Sequence, residues 1–334
     1  MADINLLELE PHVVSRSLHG YSVLLYGEPK SGKTTMATKF PNHLLLGFEK
    51  GWNAIPGAMA QPVNSWGEFK KVLRQLKDEK VRARFETVIV DTVDIAYDYC
   101  EKYICSNNGV DTIADIGFGK GYKMAAKEFD EALRSILQMN YGLVMISHAT
   151  DKTFKDQNGQ EYNQIVPTLD NKPRNVVSRM TDIIGYSRIV DLEDGGTKPM
   201  LFMRGTPRFV AGSRFKYTPD FIDFNYQSLV NAIGDAIDKQ AEEDGAQYFT
   251  DSGTNLHTTT SKELDFDELM GQFNDILNNL VTNSEGDTFE TYWQPRVTQV
   301  IETYLGKGQR VSQCTRDQVE ALDLIVSDLK DFIK

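Results

Sequence analysis

LYGEPKSGKTT, residues 25–35, decides how this chain folds. Behind it, Tyr21-Ser22-Val23-Leu24-Leu25-Tyr26 reads as a buried strand, and ahead of it Thr34 to Phe40 can begin a helix. The two glycines therefore fall at a strand-to-helix turn. Gly27 to Thr34 matches G-x-x-x-x-G-K-[ST] in full. The glycines allow backbone conformations in which successive N–H groups face phosphate oxygens, and the helix start adds positive potential. Lys33 then reaches the β and γ phosphates and Thr34 ligates Mg²⁺. The expected cofactors are ATP and Mg²⁺. The expected binding residues are Gly27, Glu28, Pro29, Lys30, Ser31, Gly32, Lys33, Thr34 and Thr35.

Outward from this turn, apolar runs alternate with helical spacing. His43 to Phe48 is a second strand ending at Glu49, Thr87-Val88-Ile89-Val90-Asp91 a β-branched third, and Gly142 to His148 a fourth. Helices are expected over 67–80, from Val93 to about Cys105 and over 124–139, with a glycine-rich loop at 106–123. Such alternation implies parallel pairing in an open α/β sheet, whose ligands gather at the carboxyl ends of the strands. Past residue 150 the pattern changes. Residues 149–173 are polar and read as a mobile loop; 183–190 and 198–204, joined across Asp194-Gly195-Gly196 and continued by 208–211, read as an antiparallel extension of the sheet. A helix is expected over 227–240. The expected domains are a P-loop NTPase core over 1–240, a polar linker at 241–262 and a small helical domain over 263–334, with helices at 263–281, 288–305 and 315–333.

Three acidic or imidazole groups share the sheet edge with the glycine turn. Asp91 ends an apolar strand, where a Walker B carboxylate holds Mg²⁺; the alternative is an aspartate capping the next helix. Glu49 follows the second strand and could orient or deprotonate an attacking water, or it is a surface glutamate in a turn. His148 could donate a hydrogen bond to the γ-phosphate and sense hydrolysis, or it ends its strand as a structural histidine. His12, His19, His43 and His257 have no such placement.

The chain has 334 residues, with 40% hydrophobic and 25% charged residues, as in an ordinary soluble protein. No apolar run reaches the length of a membrane span and no signal pattern opens the chain, so a cytoplasmic protein without a membrane partner is expected. Cys100, Cys105 and Cys314 form no metal-ligand spacing and read as reduced thiols. The net charge of −12 is unevenly placed: residues 1–234 hold 28 basic and 28 acidic side chains, and 235–334 hold 8 and 20. A neutral core with an acidic tail leaves a DNA-facing surface open to the first 234 residues.

GEPKSGKT, Glu49 after the second strand, VIVDT and the polar end of ISH occur in the order found in RecA-like recombinases. The compact spacing, with PTLDNKPRNVVSRMTDIIGY from Pro167 to Tyr186, resembles the phage-borne, core-only RecA relatives of the Sak annealing group. The likeness covers about residues 15–220. It implies a RecA-like fold and an ATPase that binds single-stranded DNA and promotes annealing or recombination. Carried over by position, Lys33 and Thr34 bind nucleotide and Mg²⁺, Glu49 is the catalytic glutamate, Asp91 the Walker B acid and His148 the sensor.

DNA contact would fall at 106–123 and 149–174. These carry Lys120, Lys123, Lys152, Lys155, Lys172 and Arg174 among Phe118, Tyr122, Phe154 and Tyr162, a mixture suited to phosphate pairing and base stacking. They also carry Asp111, Asp115, Asp151, Asp156, Glu161 and Asp170, so a solvated loop is the alternative. Arg204, Arg208, Arg214 and Lys216 are candidates for a cation supplied across a subunit boundary in a homo-oligomer, ring or filament, or they solubilise a hairpin. The acidic C-terminal helices could dock a single-strand-binding protein, or only solubilise the chain. A P-loop kinase of a small molecule and a nucleotide-gated scaffold remain as other function classes.

Overall fold

The computed structural model describes residue 7 and residues 11–251 and 264–333. They form two units, one within the first block and the other from residue 264 onward.

The larger unit is built on a ten-stranded sheet. Its parallel part comprises β2 (Ser22–Gly27), β3 (His43–Gly47), β4 (Ala60–Pro62), β5 (Thr87–Asp91), β6 (Gly142–Lys155) and β8 (Ile183–Asp191), in the spatial order β4-β3-β5-β6-β2-β8. β9 (Thr197–Phe202) and β11 (Phe221–Asp223) extend the β8 side antiparallel, and β10 (Gly212–Ser213) pairs antiparallel with β8. A separate two-residue ladder joins β1 (Val14–Ser15) to β12 (Phe249–Thr250).

The apolar runs are unbroken because both sheet faces are covered. Alternate residues point to opposite faces. Leu24, Leu46, Val88, Val90, Leu143 and Met145 pack on one side against α2 (Trp66–Gln75), α4 (Val93–Asn108) and α5 (Lys120–Gln138). Val23, Leu25, Leu45, Ile89, Val144 and Ile146 pack on the other against α1 (Lys33–Ala37) and α7 (Tyr226–Asp244).

Several expected boundaries shift. The helix expected over 67–80 ends at Gln75, and Asp78 caps a separate α3 (Glu79–Arg84) by accepting the Lys80 N–H. The loop at 106–123 is shorter than expected: α4 continues to Asn108, and α5 begins at Lys120 after a Gly117-Phe118-Gly119 turn with Phe118 fully exposed. The polar stretch 149–173 is ordered rather than a mobile loop. β6 continues to Lys155, turns at Asp156–Gly159 and returns as β7 (Glu161–Pro167), followed by α6 (Asn171–Met180). Its arms are polar because they project beyond the covered sheet, and the Phe154–Tyr162 pair stacks across them at 5.8 Å. Residues 208–211 form no strand, although Phe209 bridges Ile165 and Thr206. Helix α7 runs on to Asp244, so the expected linker at 241–262 begins with helix and the β12 strand, and its part from 252, with His257, lies outside the described residues.

The second unit packs α8 (Phe266–Thr282), α9 (Gln294–Leu305) and α10 (Val319–Lys330) around Phe273, Ile276, Val297, Leu322 and Ile325. Among the described residues no helix is long and apolar enough to cross a membrane. Cys100, Cys105 and Cys314 are free thiols.

Tyr26, fully buried beside the glycine turn, ties three segments together. Its ring stacks on Tyr186 at 5.0 Å, and its hydroxyl donates to the Val210 carbonyl at 2.5 Å and accepts the Val210 N–H at 3.1 Å. Tyr26→Phe leaves both Val210 groups without that partner, which costs about 1–3 kcal/mol. Urea unfolding should show this as a lower midpoint at unchanged slope; an unchanged midpoint would mean the hydroxyl is dispensable.

Candidate functional site

The parallel register lines up the expected site residues along one edge. Gly27 of β2 stands opposite His148 of β6 on one side and Ser187 of β8 on the other, and Asp91 of β5 stands opposite Gly47 of β3 and Ile146 of β6. Gly27 is required by close approach, since a Cβ there would collide with Ser187. Gly32 (φ 88°) and Lys30 (φ 64°) take left-handed conformations that fold the turn back over the strand end.

Lys33 is 5% exposed. Its ammonium donates to the carbonyls of Gly27 at 3.0 Å and Glu28 at 2.7 Å and to Ser31 Oγ at 3.4 Å. All three donors of the ammonium are thus taken by its own turn. Desolvation pushes its pKa down, against the pull of Asp91, Glu49 and Asp94.

Thr34 Oγ1 donates to Asp91 Oδ2 at 2.9 Å. Gly51 closes this pair from the side: a Cβ on it would come within 3.2 Å of both oxygens. Asp91 is 2% exposed, and burial pushes its carboxyl up to about 6, aided by Glu49 and opposed by Thr34 and Lys33. Its main-chain carbonyl accepts the Glu49 N–H at 3.1 Å, and Glu49 Oε1 lies 2.8 Å from His148 Nε2. Asp94, in the first turn of α4, accepts the Ser147 hydroxyl at 2.7 Å and the His148 N–H at 2.9 Å.

Lys30, Lys33, Thr34, Glu49, Asp91 and His148 line a cleft of about 350 Å³ with Pro29, Thr35 and Thr92, and Asp94 stands behind it. A larger cavity of about 430 Å³ lies among Met59, Pro62, Val72, Leu76 and Phe85, away from the glycine turn and with mainly apolar walls. Chemistry, not size, makes the smaller one the candidate. Its donor set fits Mg²⁺ and a polyphosphate. Among the described residues Thr92 Oγ1 and His148 Nδ1 are buried without hydrogen-bond partners, and the cleft lining sets two acids, Asp91 and Glu49, beside Lys33 and the exposed Lys30. Among the described residues no cluster of three or more His, Cys, Asp or Glu could hold a metal by itself. Thr34 and Asp91 would hold Mg²⁺ jointly with phosphate oxygens, as that ion prefers.

The structure therefore brings Gly27 to Thr35, Glu49, Asp91 and His148 to one place. It adds Gly51 to the cleft, with Asp94 and Ser187 behind it, bracing the strands that carry it. Only Asp94 leaves a signal in the sequence, as the second acid of Asp91-Thr92-Val93-Asp94, three residues on and at a helix start. Of the four late-strand cations, Arg204 is held by the Thr218 and Lys216 carbonyls, Arg214 by Asp182 and the Arg179 carbonyl, and Lys216 by Glu243. The Arg208 side chain has no such partner among the described residues.

The Asp91 carboxyl holds its proton more tightly in the folded chain than in the unfolded one. It therefore costs stability as pH rises from 3.8 to about 6, and the full cost, on the order of 2–3 kcal/mol, is present at pH 7. Asp91→Asn should raise the melting temperature of the nucleotide-free protein by several degrees at pH 7.5, with the gain shrinking by about half at pH 5. A variant that melts lower than the parent at pH 7.5 would contradict this.

A family model described as AAA domain matches residues 19–215, which include every residue of the cleft. The SPbeta prophage-derived uncharacterized protein YorG of Bacillus subtilis (strain 168) is 32% identical over 341 residues, covering 99% of this chain and 99% of its own. Among solved structures, the flagellar accessory protein FlaH from Methanocaldococcus jannaschii is similar with a TM-score of 0.34 and 11% identity, over 62% of this chain and 85% of that one. With its glycine turn, its buried lysine and a family match across the whole parallel sheet, the chain belongs to the AAA domain family of P-loop nucleotide-binding proteins.

Proposed function

We propose that this chain hydrolyses ATP and uses the cycle to bind and release single-stranded DNA, assisting annealing or strand exchange as a RecA-like, phage-encoded homo-oligomer in the host cytoplasm. The observation that carries the reading is the continuity of β6. His148 faces Glu49 in the cleft, and from the next residue, Ala149, to Lys155 the same strand forms one arm of the exposed hairpin. A change at the nucleotide is thus mechanically linked to the hairpin.

Each residue has a defined part. Main-chain N–H groups of the turn from Gly27 to Lys33, Pro29 having none, would cradle phosphates, and Lys33 would exchange its loop carbonyls for phosphate oxygens. Thr34 and Asp91 hold the ion. Bound Mg²⁺ and ATP supply an electrophilic γ-phosphoryl group; Glu49 orients or deprotonates the water, and His148 holds Glu49 in line. Asp91, largely ionised only above about pH 6, sets the acid limit of ion binding.

The hairpin and its surroundings suit a single strand. Phe154 and Tyr162 stack with each other, Arg174 lies 6.0 Å over Phe154, and Lys172 lies 5.0 Å over Tyr122. Exposed aromatic faces beside cations bind bases and phosphates without sequence preference. Phe118 projects from its glycine turn as a further stacking group. Arg208, free of the pairs that hold its three neighbours, is the cation that would reach a neighbouring protomer's γ-phosphate. The acidic C-terminal unit would dock a single-strand-binding protein. The prophage origin of the relative supports the phage-encoded part of this reading.

The test is ATP hydrolysis with and without single-stranded DNA across a salt series. Turnover should rise with DNA, and the rise should fade with salt as counterions compete for the phosphate contacts. Glu49→Gln should lose about 10²-fold or more in turnover yet still bind nucleotide, whereas Lys33→Ala should lose binding. Full turnover in Glu49→Gln, or transfer of the γ-phosphate to a metabolite instead of water, would refute the reading.

A further inference from the structure

β5 and β6 pair only as far as Asp91 and Ile146. Beyond them β5 turns away into α4, while β6 runs on through His148 toward the hairpin. On that side the His148 N–H has lost its strand neighbour, and Asp94 fills the gap. One carboxylate oxygen accepts this N–H at 2.9 Å, and the other accepts the Ser147 hydroxyl at 2.7 Å. On the opposite side Ser147 and His148 pair with Tyr26 and Gly27 at the root of the glycine turn. The imidazole carried by this pinned backbone lies 2.8 Å from Glu49.

We propose that Asp94 is a positioning residue that clamps β6 at Ser147–His148, where the strand leaves the nucleotide cleft, and so passes the state of the Glu49–His148 pair to the hairpin. The inference rests on the functional reading above. A charged acceptor for a main-chain N–H makes a short, strong bond, and a buried N–H deprived of it lets the strand end fray. Among the described residues Asp94 makes no hydrogen bond or ion pair with the glycine turn and does not line the cleft, so nucleotide binding survives its loss while coupling does not.

Hydrogen–deuterium exchange over residues 147–168 of the full chain tests this, with and without Mg²⁺ and a non-hydrolysable ATP analogue, alongside calorimetric affinity for that analogue. In the parent chain the analogue changes hairpin exchange. Asp94→Ala binds the analogue within about threefold of the parent, exchanges over 147–155 about tenfold faster or more, and no longer responds to the analogue. Asp94→Asn can turn its amide so that the oxygen still accepts the His148 N–H and the nitrogen donates to Ser147 Oγ, so it keeps the response and decides the matter if the alanine variant does not fold. A full response in Asp94→Ala, or a folded Asp94→Asn without one, overturns the clamp. A parent chain that binds the analogue with no change in the hairpin overturns the clamp alone; one that binds no analogue overturns the functional reading itself.

Discussion

A lysine ammonium taken out of water has to be surrounded by oxygen, and here Lys33 is surrounded by the turn that carries it. The Gly27 and Glu28 carbonyls and Ser31 Oγ use all of its donors. That closed turn sits over β2, which has a parallel neighbour on each side, so its position is fixed by the centre of the sheet. A phosphate has only to replace the carbonyls. The ammonium is already desolvated, and its exchange of partners needs no new burial. The acids lining the same cleft set the complementary demand: Asp91 and Glu49 beside the desolvated lysine leave negative charge that a divalent ion would offset as a polyphosphate enters.

Strand order determines who can speak to whom. β6 lies between the strand that ends in the glycine turn and the strand that ends in Asp91. Asp91 therefore reaches the turn through Thr34, and the strand between them carries His148 at the same level. Because β6 continues beyond the sheet edge into the hairpin it forms with β7, the cleft and that hairpin share a rigid element instead of a loop. Tyr26 and Ser187 brace the same region from the β8 side.

Much of this is legible in the sequence, and physical reasons separate what is from what is not. β2, β3, β5 and the first half of β6 are buried on both faces and so appear as unbroken apolar runs, and the glycine turn reads as a phosphate cradle from residue types alone. The outer half of β6 and the facing first half of β7 give little period-two signal because they are mostly exposed, and the polar composition reads as a mobile loop. β4 is three residues, Ala60–Pro62, too short to stand out, and a helix cap at Asp78 breaks a helix whose apolar spacing continues across it. At the site, Glu49, Asp91 and His148 are found because each ends an apolar run. Gly51 and Ser187 are not, since their contribution is space and approach between segments far apart in the chain. The four late-strand cations look alike in sequence; only their partners in the fold set Arg208 apart.

The central claim is that the turn around Lys33 opens for a triphosphate. A crystal structure of the chain with Mg²⁺ and a non-hydrolysable ATP analogue tests it most directly. The account predicts Lys33 Nζ moved from the Gly27 and Glu28 carbonyls onto phosphate oxygen, with Thr34 and Asp91 parted by the ion. A nucleotide bound elsewhere, or a Lys33 still closed on its own carbonyls beneath the phosphates, would contradict it.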